Sequence, residues 1–144
     1  MVINKWNLKS RVQSGKSIYR MAKYYKDLGI YLDTDLQTFF NFVRNIPYKE
    51  DELNEVTARP KYYLSGVLKA LDCKKKMVLM GAWLNAHGVP WSLTAVSERP
   101  DQEVHHVFIS ALIDGKKRSI DPTYNYFTLF EPKPGVTYAE ELPR

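Results

Sequence analysis

Apolar residues recur at helical spacing through the first half of the chain and in strand-like alternation through the second. Over residues 17–28 the set Ile18, Met21, Ala22, Tyr25 and Leu28 falls on one helical face, and Gly29 then provides a stop. Asp33-Thr34-Asp35 offers an N-cap for a second helix, with Leu36, Phe39, Phe40 and Val43 on its buried side. Asn45-Ile46-Pro47-Tyr48 closes that helix, because the residue before a proline avoids the α region. Residues 49–59 are acidic and aperiodic and read as a loop. Pro60 opens a short aromatic stretch, Tyr62-Tyr63-Leu64. A third helix is expected from Asp72 or Cys73, with Met77, Met80, Gly81, Leu84 and His87 inward and Val78 and Trp83 at the flanks. Gly88 and Pro90 end it.

Strand signals follow. Residues 91–97 alternate, and residues 104–113 are dense in β-branched and aromatic side chains. Asp114-Gly115 is a hairpin turn signal, and residues 116–121 form the returning strand. Tyr124, Tyr126, Phe127, Leu129 and Phe130 are compatible with one more short strand. Residues 132–144 read as an irregular tail. Residues 1–16 are polar, rich in Lys and Arg, and read as an arm anchored by Trp6 and Leu8. Helices first and an antiparallel sheet after them make an α+β fold, here a single domain over residues 1–144.

Composition narrows the function. The 144 residues are 44% hydrophobic and 26% charged, ordinary globular usage that argues against wholesale disorder. A net charge of +5 is modest for a nucleic-acid binder. The basic, Tyr-rich stretch with Lys5, Lys9, Arg11, Lys16, Arg20, Lys23, Lys26, Tyr19, Tyr24 and Tyr25 therefore reads as a solvated amphipathic helix rather than a nucleic-acid surface. The single cysteine excludes an internal disulfide and a structural zinc site built on several thiolates. No run approaches the roughly 18 apolar residues of a spanning helix, and the first residues lack the apolar core of an export signal. No metal or other cofactor is expected.

That cysteine, Cys73, stands at the predicted start of a buried helix. First-turn N–H groups and the helix dipole favour a thiolate there, and Lys74-Lys75-Lys76 either add positive potential or form a solvated first turn. A thiol nucleophile needs a base, and histidine is the usual one. His87 lies at the far end of the same helix, about 21 Å away at 1.5 Å per residue, and reads as a structural residue of the helix end. His105 and His106 face opposite sides of a strand. Hairpin parity separates them. A two-residue turn at Asp114-Gly115 sets Asp121 opposite Phe108, on the His106 face and one diagonal step away. A four-residue turn keeps that face, whereas a three-residue loop pairs Asp121 with His105. Cys73, His106 and Asp121 thus form a candidate nucleophile, base and orienting carboxylate.

These residues also carry a family resemblance. Asp72-Cys73, with the helix end Leu84-Asn85-Ala86-His87-Gly88-Val89-Pro90, resembles a segment of the transglutaminase-like superfamily. His106-Val107-Phe108 is similar to its histidine strand, although the usual aromatic there is Trp. Asp114-Gly115-Lys116 and Ile120-Asp121-Pro122-Thr123 resemble its turn and aspartate motifs. Upstream, the run Phe42 to Tyr48 and Arg59-Pro60 are similar to segments that precede the family core. The resemblance covers roughly residues 35–125, with three lysines after the cysteine where the family often has acidic or small residues.

The resemblance implies a papain-like, transglutaminase-like core and a small stand-alone protein of bacterial or phage type. It implies a peptidase, amidase or transamidase acting through a thioester. The partner would be a protein or peptide substrate, a peptidoglycan peptide being one such. The expected location is cytoplasmic or phage-associated. The Cys73 backbone N–H is one oxyanion donor, and the Tyr62-Tyr63 region is the candidate for the second. The alternative is a non-catalytic structural or assembly protein, such as a virion component, that keeps the fold.

Overall fold

The computed structural model describes residues 6–50, 56–97 and 104–144, so the first residues of the expected arm and the middle of the expected loop lie outside it. α1 spans Leu8–Met21, a 3-10 segment Tyr25–Asp33, α2 Leu36–Asn45, α3 Pro60–Leu64 and α4 Cys73–Ala86. β1 (Trp91–Ser97), β2 (His106–Ile113), β3 (Lys116–Ile120) and β4 (Tyr138–Leu142) follow. These strands form one antiparallel sheet in the order β3-β2-β1-β4, with the helices packed on it, a mixed α+β architecture.

α4 is the axis of the molecule. Asp72 caps it, accepting a 2.9 Å hydrogen bond from the Lys75 N–H, and every residue from Lys76 to Leu84 is buried. One apolar stripe was expected, but α1, α2, α3, the 3-10 segment and β2 all pack against this helix. A helix covered on all sides has no solvent face to leave polar. Only its two ends are less covered, with Cys73 and Lys75 half-buried at the start and Asn85 and Ala86 at the finish. His87, expected inward, is exposed as the C-cap, with its ring stacked on Trp83 at 3.9 Å and Nε2 bonded to the Leu32 carbonyl. Gly88 follows at φ 69°, the left-handed conformation that ends the helix.

The N-terminal helix begins earlier than periodicity predicts. Asn7 accepts from the Ser10 N–H at 2.9 Å, so the expected arm is largely α1. Its buried face is built from Ser10, Ser14, Gly15 and Ser17 as much as from Ile18 and Tyr19. Small polar residues there let the backbone approach β4: a Cβ on Gly15 would sit 3.2 Å from Leu142. The helix stops at Met21, and the expected continuation to Leu28 is instead the start of the 3-10 segment. Gly29 lies inside that segment at φ 57°, ψ −121°, a backbone open in practice only to glycine.

Two further expectations are corrected at the C-terminal end. The stretch after Pro122 forms no strand, because its aromatic rings stack on one another and on the site described below. The expected irregular tail contains β4, which pairs with β1 from Leu93↔Leu142 to Ser97↔Tyr138. The Tyr19 hydroxyl ties the two strands to α1, donating to the Leu142 carbonyl at 2.9 Å and accepting from the Leu93 N–H at 2.7 Å. Tyr62-Tyr63 lie on the short helix α3, with Pro60 at its first turn.

Gly81 offers a test of the packing. A Cβ there would lie 2.6 Å from the Trp91 ring and 3.1 Å from the Ala22 Cβ. That ring cannot swing away, because its Nε1 donates to Asn85 Oδ1 at 2.7 Å and it packs on Tyr19 with centroids 5.1 Å apart. Overpacking costs about 1–3 kcal/mol, against roughly 1 kcal/mol gained by alanine over glycine in a helix. Gly81→Ala should therefore lose up to about 2 kcal/mol in urea unfolding, and a clear gain in stability would contradict this packing.

Candidate active site

The β2–β3 hairpin carries two of the three candidate residues. Ile113 pairs with Lys116, and Asp114 and Gly115 have φ of 54° and 75°. This is the two-residue turn with both central residues left-handed. The ladder continues to Ile109↔Ile120, so Asp121 follows on the rung of Phe108, and parity selects His106. His106 Nε2 lies 2.6 Å from Asp121 Oδ2, with the two residues 3% and 4% exposed. His105 is exposed.

The proton on this bond can be assigned from charge. Burial opposes ionisation of Asp121, but the His106 charge, the bond to His106 and the Thr123 contacts hold its carboxyl below the usual range. An ionised carboxylate only accepts, so Nε2–H is the donor and Nδ1 is left for the thiol. The Thr123 N–H donates to Asp121 Oδ1 at 3.1 Å, fixing the carboxylate plane. Burial likewise opposes the charge on His106. The Asp121 charge and hydrogen bond and the nearby Cys73 sulfur outweigh it, and the His106 pKa is pushed up to about 9.

Cys73 is the first residue of α4 and is half-buried, with its sulfur in hydrogen-bond reach of His106. A parallel bridge between Tyr48 and Leu71 sets its approach, with Leu71 N–H to Pro47 O at 2.9 Å and Lys49 N–H to Leu71 O at 3.3 Å. Tyr48 therefore stands beside Asp72-Cys73. Tyr124 packs on Tyr48 at 5.0 Å and lies nearly parallel to the His106 ring at 6.0 Å. Burial, then the charge at Cys73, raises the pKa of both phenols, and their hydroxyls are hydrogen-bonded to each other.

Two expectations about this region are corrected. The lysines after Cys73 are not a solvated first turn. Lys74 is buried and paired with Asp72 at 3.1 Å, and Lys76 is 0% exposed. The phenols whose ionisation the Cys73 charge affects are Tyr48 and Tyr124, whereas Tyr62-Tyr63 were the expected region. The Tyr63 hydroxyl accepts from the Ala58 N–H at 2.6 Å, and Tyr62 is exposed on α3. Tyr48, Tyr124 and Lys76 are the neighbours that sequence patterns did not single out as site residues. The Pro47-Tyr48 helix end was visible in the sequence, but nothing local to it points at Cys73.

The basic N-terminal stretch divides on folding. Arg11 pairs with Glu140, Tyr19 is buried, and Arg59 pairs with Asp27 while lying 4.1 Å from the Tyr24 ring. Among the described residues no group of three or more His, Cys, Asp or Glu could hold a metal ion. No helix of the described residues is long and apolar enough to cross a membrane. Comparison with family models, curated proteins and solved structures finds no match to this chain.

The His106–Asp121 pair gives stability a definite pH window. The His106 contribution is complete below its unfolded value of 6.5 and is lost as pH rises through about 9. The Asp121 contribution is complete above 3.8 and is lost as pH falls through its lowered value. Histidine NMR should show a midpoint of about 9 for His106. In Asp121→Asn that midpoint should fall to 6.5 or below, because burial then acts without its counter-charge. A midpoint that stays near 9 would remove Asp121 as the source of the shift.

Proposed function

We propose that this chain is a transglutaminase-like cysteine enzyme that transfers or hydrolyses acyl groups at the amide bonds of a protein or peptide. The observation that carries this reading is the buried 2.6 Å bond between His106 and Asp121, with the second ring nitrogen left toward a half-buried Cys73 at the capped start of α4. In this reading the core is papain-like, with the nucleophile on a helix and the base and orienting carboxylate on an adjacent hairpin.

The steps follow from the geometry. His106 takes the Cys73 proton, and the sulfur attacks the amide carbonyl to form a C–S bond. The carbonyl oxygen becomes an oxyanion facing the Cys73 backbone N–H, with the mutually hydrogen-bonded Tyr48–Tyr124 phenols close by to supply one further donor. The imidazolium, held by Asp121, gives its proton to the leaving nitrogen as the C–N bond breaks, leaving a thioester. Water or an amine then attacks the thioester carbonyl and loses its proton to His106, and the C–S bond breaks to restore the thiol. Asp121 keeps one ring tautomer in place throughout and is not itself protonated.

The test combines trapping with two variants. Wild-type protein incubated with glutamine peptides or peptidoglycan peptides and hydroxylamine should yield the acyl hydroxamate, and intact mass should show an adduct on Cys73. Cys73→Ala should abolish both with little change in melting temperature. Asp121→Asn would keep its fold if the residue were partly solvated; at 4% exposure it should lower the melting temperature, and its folded fraction should lose about two to four orders of magnitude in turnover. Full activity in Cys73→Ala would overturn the nucleophile assignment. A Cys73→Ala protein that keeps its whole biological role would favour a structural or assembly protein.

A further inference from the structure

The mechanism above leaves one buried charged group unused. Lys76 lies one helical turn beyond Cys73 and is completely enclosed. Its Nζ donates to the carbonyls of Ile46 at 2.6 Å, Thr123 at 2.9 Å and Pro122 at 3.2 Å, with Arg44 O at 3.4 Å. An ammonium has three protons, so the three shorter contacts satisfy it. These carbonyls belong to two chain segments that also meet through the Tyr48–Tyr124 rings and the Arg44 bond to the Phe127 carbonyl at 2.9 Å. Ile46 precedes Pro47-Tyr48, and Pro122-Thr123 join Asp121 to Tyr124.

We infer that Lys76 is the positioning residue of this site, a clamp that fixes the Asp121 carboxylate on His106 and the Tyr48 and Tyr124 phenols beside Cys73. This role rests on the acyl-transfer reading above. The connection runs through named bonds. Lys76 holds the Thr123 carbonyl, the Thr123 N–H holds Asp121 Oδ1, and Asp121 Oδ2 holds His106 Nε2. On the other side Lys76 holds Ile46, two residues before Tyr48. Ile46 and Pro122-Thr123 lie outside the strands and helices; the Tyr48–Leu71 bridge ties the first segment to the start of α4, and Lys76 is the side chain that bonds both segments at once. The charged groups that act on the ammonium are Asp121 and Cys73. Both favour its charge, against a burial that lowers its pKa to about 8. A purely packing role would be met by an apolar side chain of the same length.

Lys76→Met keeps that length and removes the donors. In the folded variant the His106 midpoint should fall from about 9 toward 6.5, and alkylation of Cys73 by iodoacetamide at neutral pH should slow about tenfold or more. Leu84→Ala, a core truncation near the other end of α4, should lower the melting temperature while leaving both readouts in place. Where Lys76→Met does not fold, the wild type and Asp121→Asn carry the test. The Lys76 ammonium, followed by 15N-lysine NMR, should titrate at about 8 in wild type. It should titrate about half a pH unit or more lower in Asp121→Asn, because coupling between two groups is reciprocal. An unmoved His106 midpoint in folded Lys76→Met, or an unmoved Lys76 midpoint in Asp121→Asn, overturns the role. Neither readout uses a substrate. An inactive wild type with shifted midpoints therefore rejects only the acyl-transfer reading, and an active one with unmoved midpoints rejects only the clamp.

Discussion

A positive charge sits in the interior of this protein, and the arrangement of the site follows from how that charge is satisfied. Moving an ammonium out of water costs several kcal/mol even after relaxation. The Lys76 ammonium is compensated by backbone carbonyls rather than by a directly bonded carboxylate. Carbonyls can serve only where the chain leaves them unpaired. The end of α2 and the turn after β3 are such places, since helix ends and strand exits have acceptors without intra-element partners. The constraint therefore acts on geometry: α2 must end, and β3 must exit, at the first turns of α4. Asp72 and Lys74, buried as a pair at the same helix start, add a second set of charges whose positions are fixed by one another.

The same feature explains what the sequence could and could not reveal. The hairpin was legible because Asp114-Gly115 is a local signal, and the period-two rule turns a loop length into a prediction about which histidine faces Asp121. The start of α4 was legible through Asp72 as a cap and its end through Gly88. Lys76 was not, because a lysine in a run of three at a helix start has the pattern of a wet surface. Only the tertiary arrival of Ile46 and Thr123 changes that. α1 was hidden for the opposite reason. Its buried face is Ser10, Ser14, Gly15 and Ser17, residues that carry no apolar period although they allow the closest approach to β4. β4 itself reads as Tyr-Ala-Glu-Glu-Leu, and an edge strand with two glutamates looks like a tail until Leu93 and Tyr19 pair with it.

The aromatic residues past Pro122 show a related limit. Their density resembles a strand, yet Tyr124, Tyr126 and Phe127 pack ring on ring, and Tyr124 continues onto His106 and Tyr48. Stacking of this kind depends on centroid distance and plane, not on residue period, so it leaves no alternation to read. The result is a cluster of rings against His106, of which Tyr124, with Tyr48, stands near Cys73. A cluster of rings lowers the local dielectric and strengthens each charge interaction within it. Tyr124 thus shares the same surroundings as the ion pair it covers.

The balance between an enzyme and a fold kept for assembly turns on the cost of the His106–Asp121 pair. Burying a histidine and a carboxylate together is a poor route to stability, since apolar residues of like volume often do as well or better. The pair is nearly sealed, its carboxylate is held by a second donor, and its other ring nitrogen is directed to the one thiol in the chain. An imidazolium held to about pH 9 beside the half-buried Cys73 is what the proposed enzyme reading calls for. In that reading the charge stabilises the thiolate before attack and supplies the proton after it. Lys76 and Thr123 extend the same logic outward: side chains and carbonyls are committed to holding one carboxylate in one plane. That arrangement is what the proposed base would require of the carboxylate that orients it.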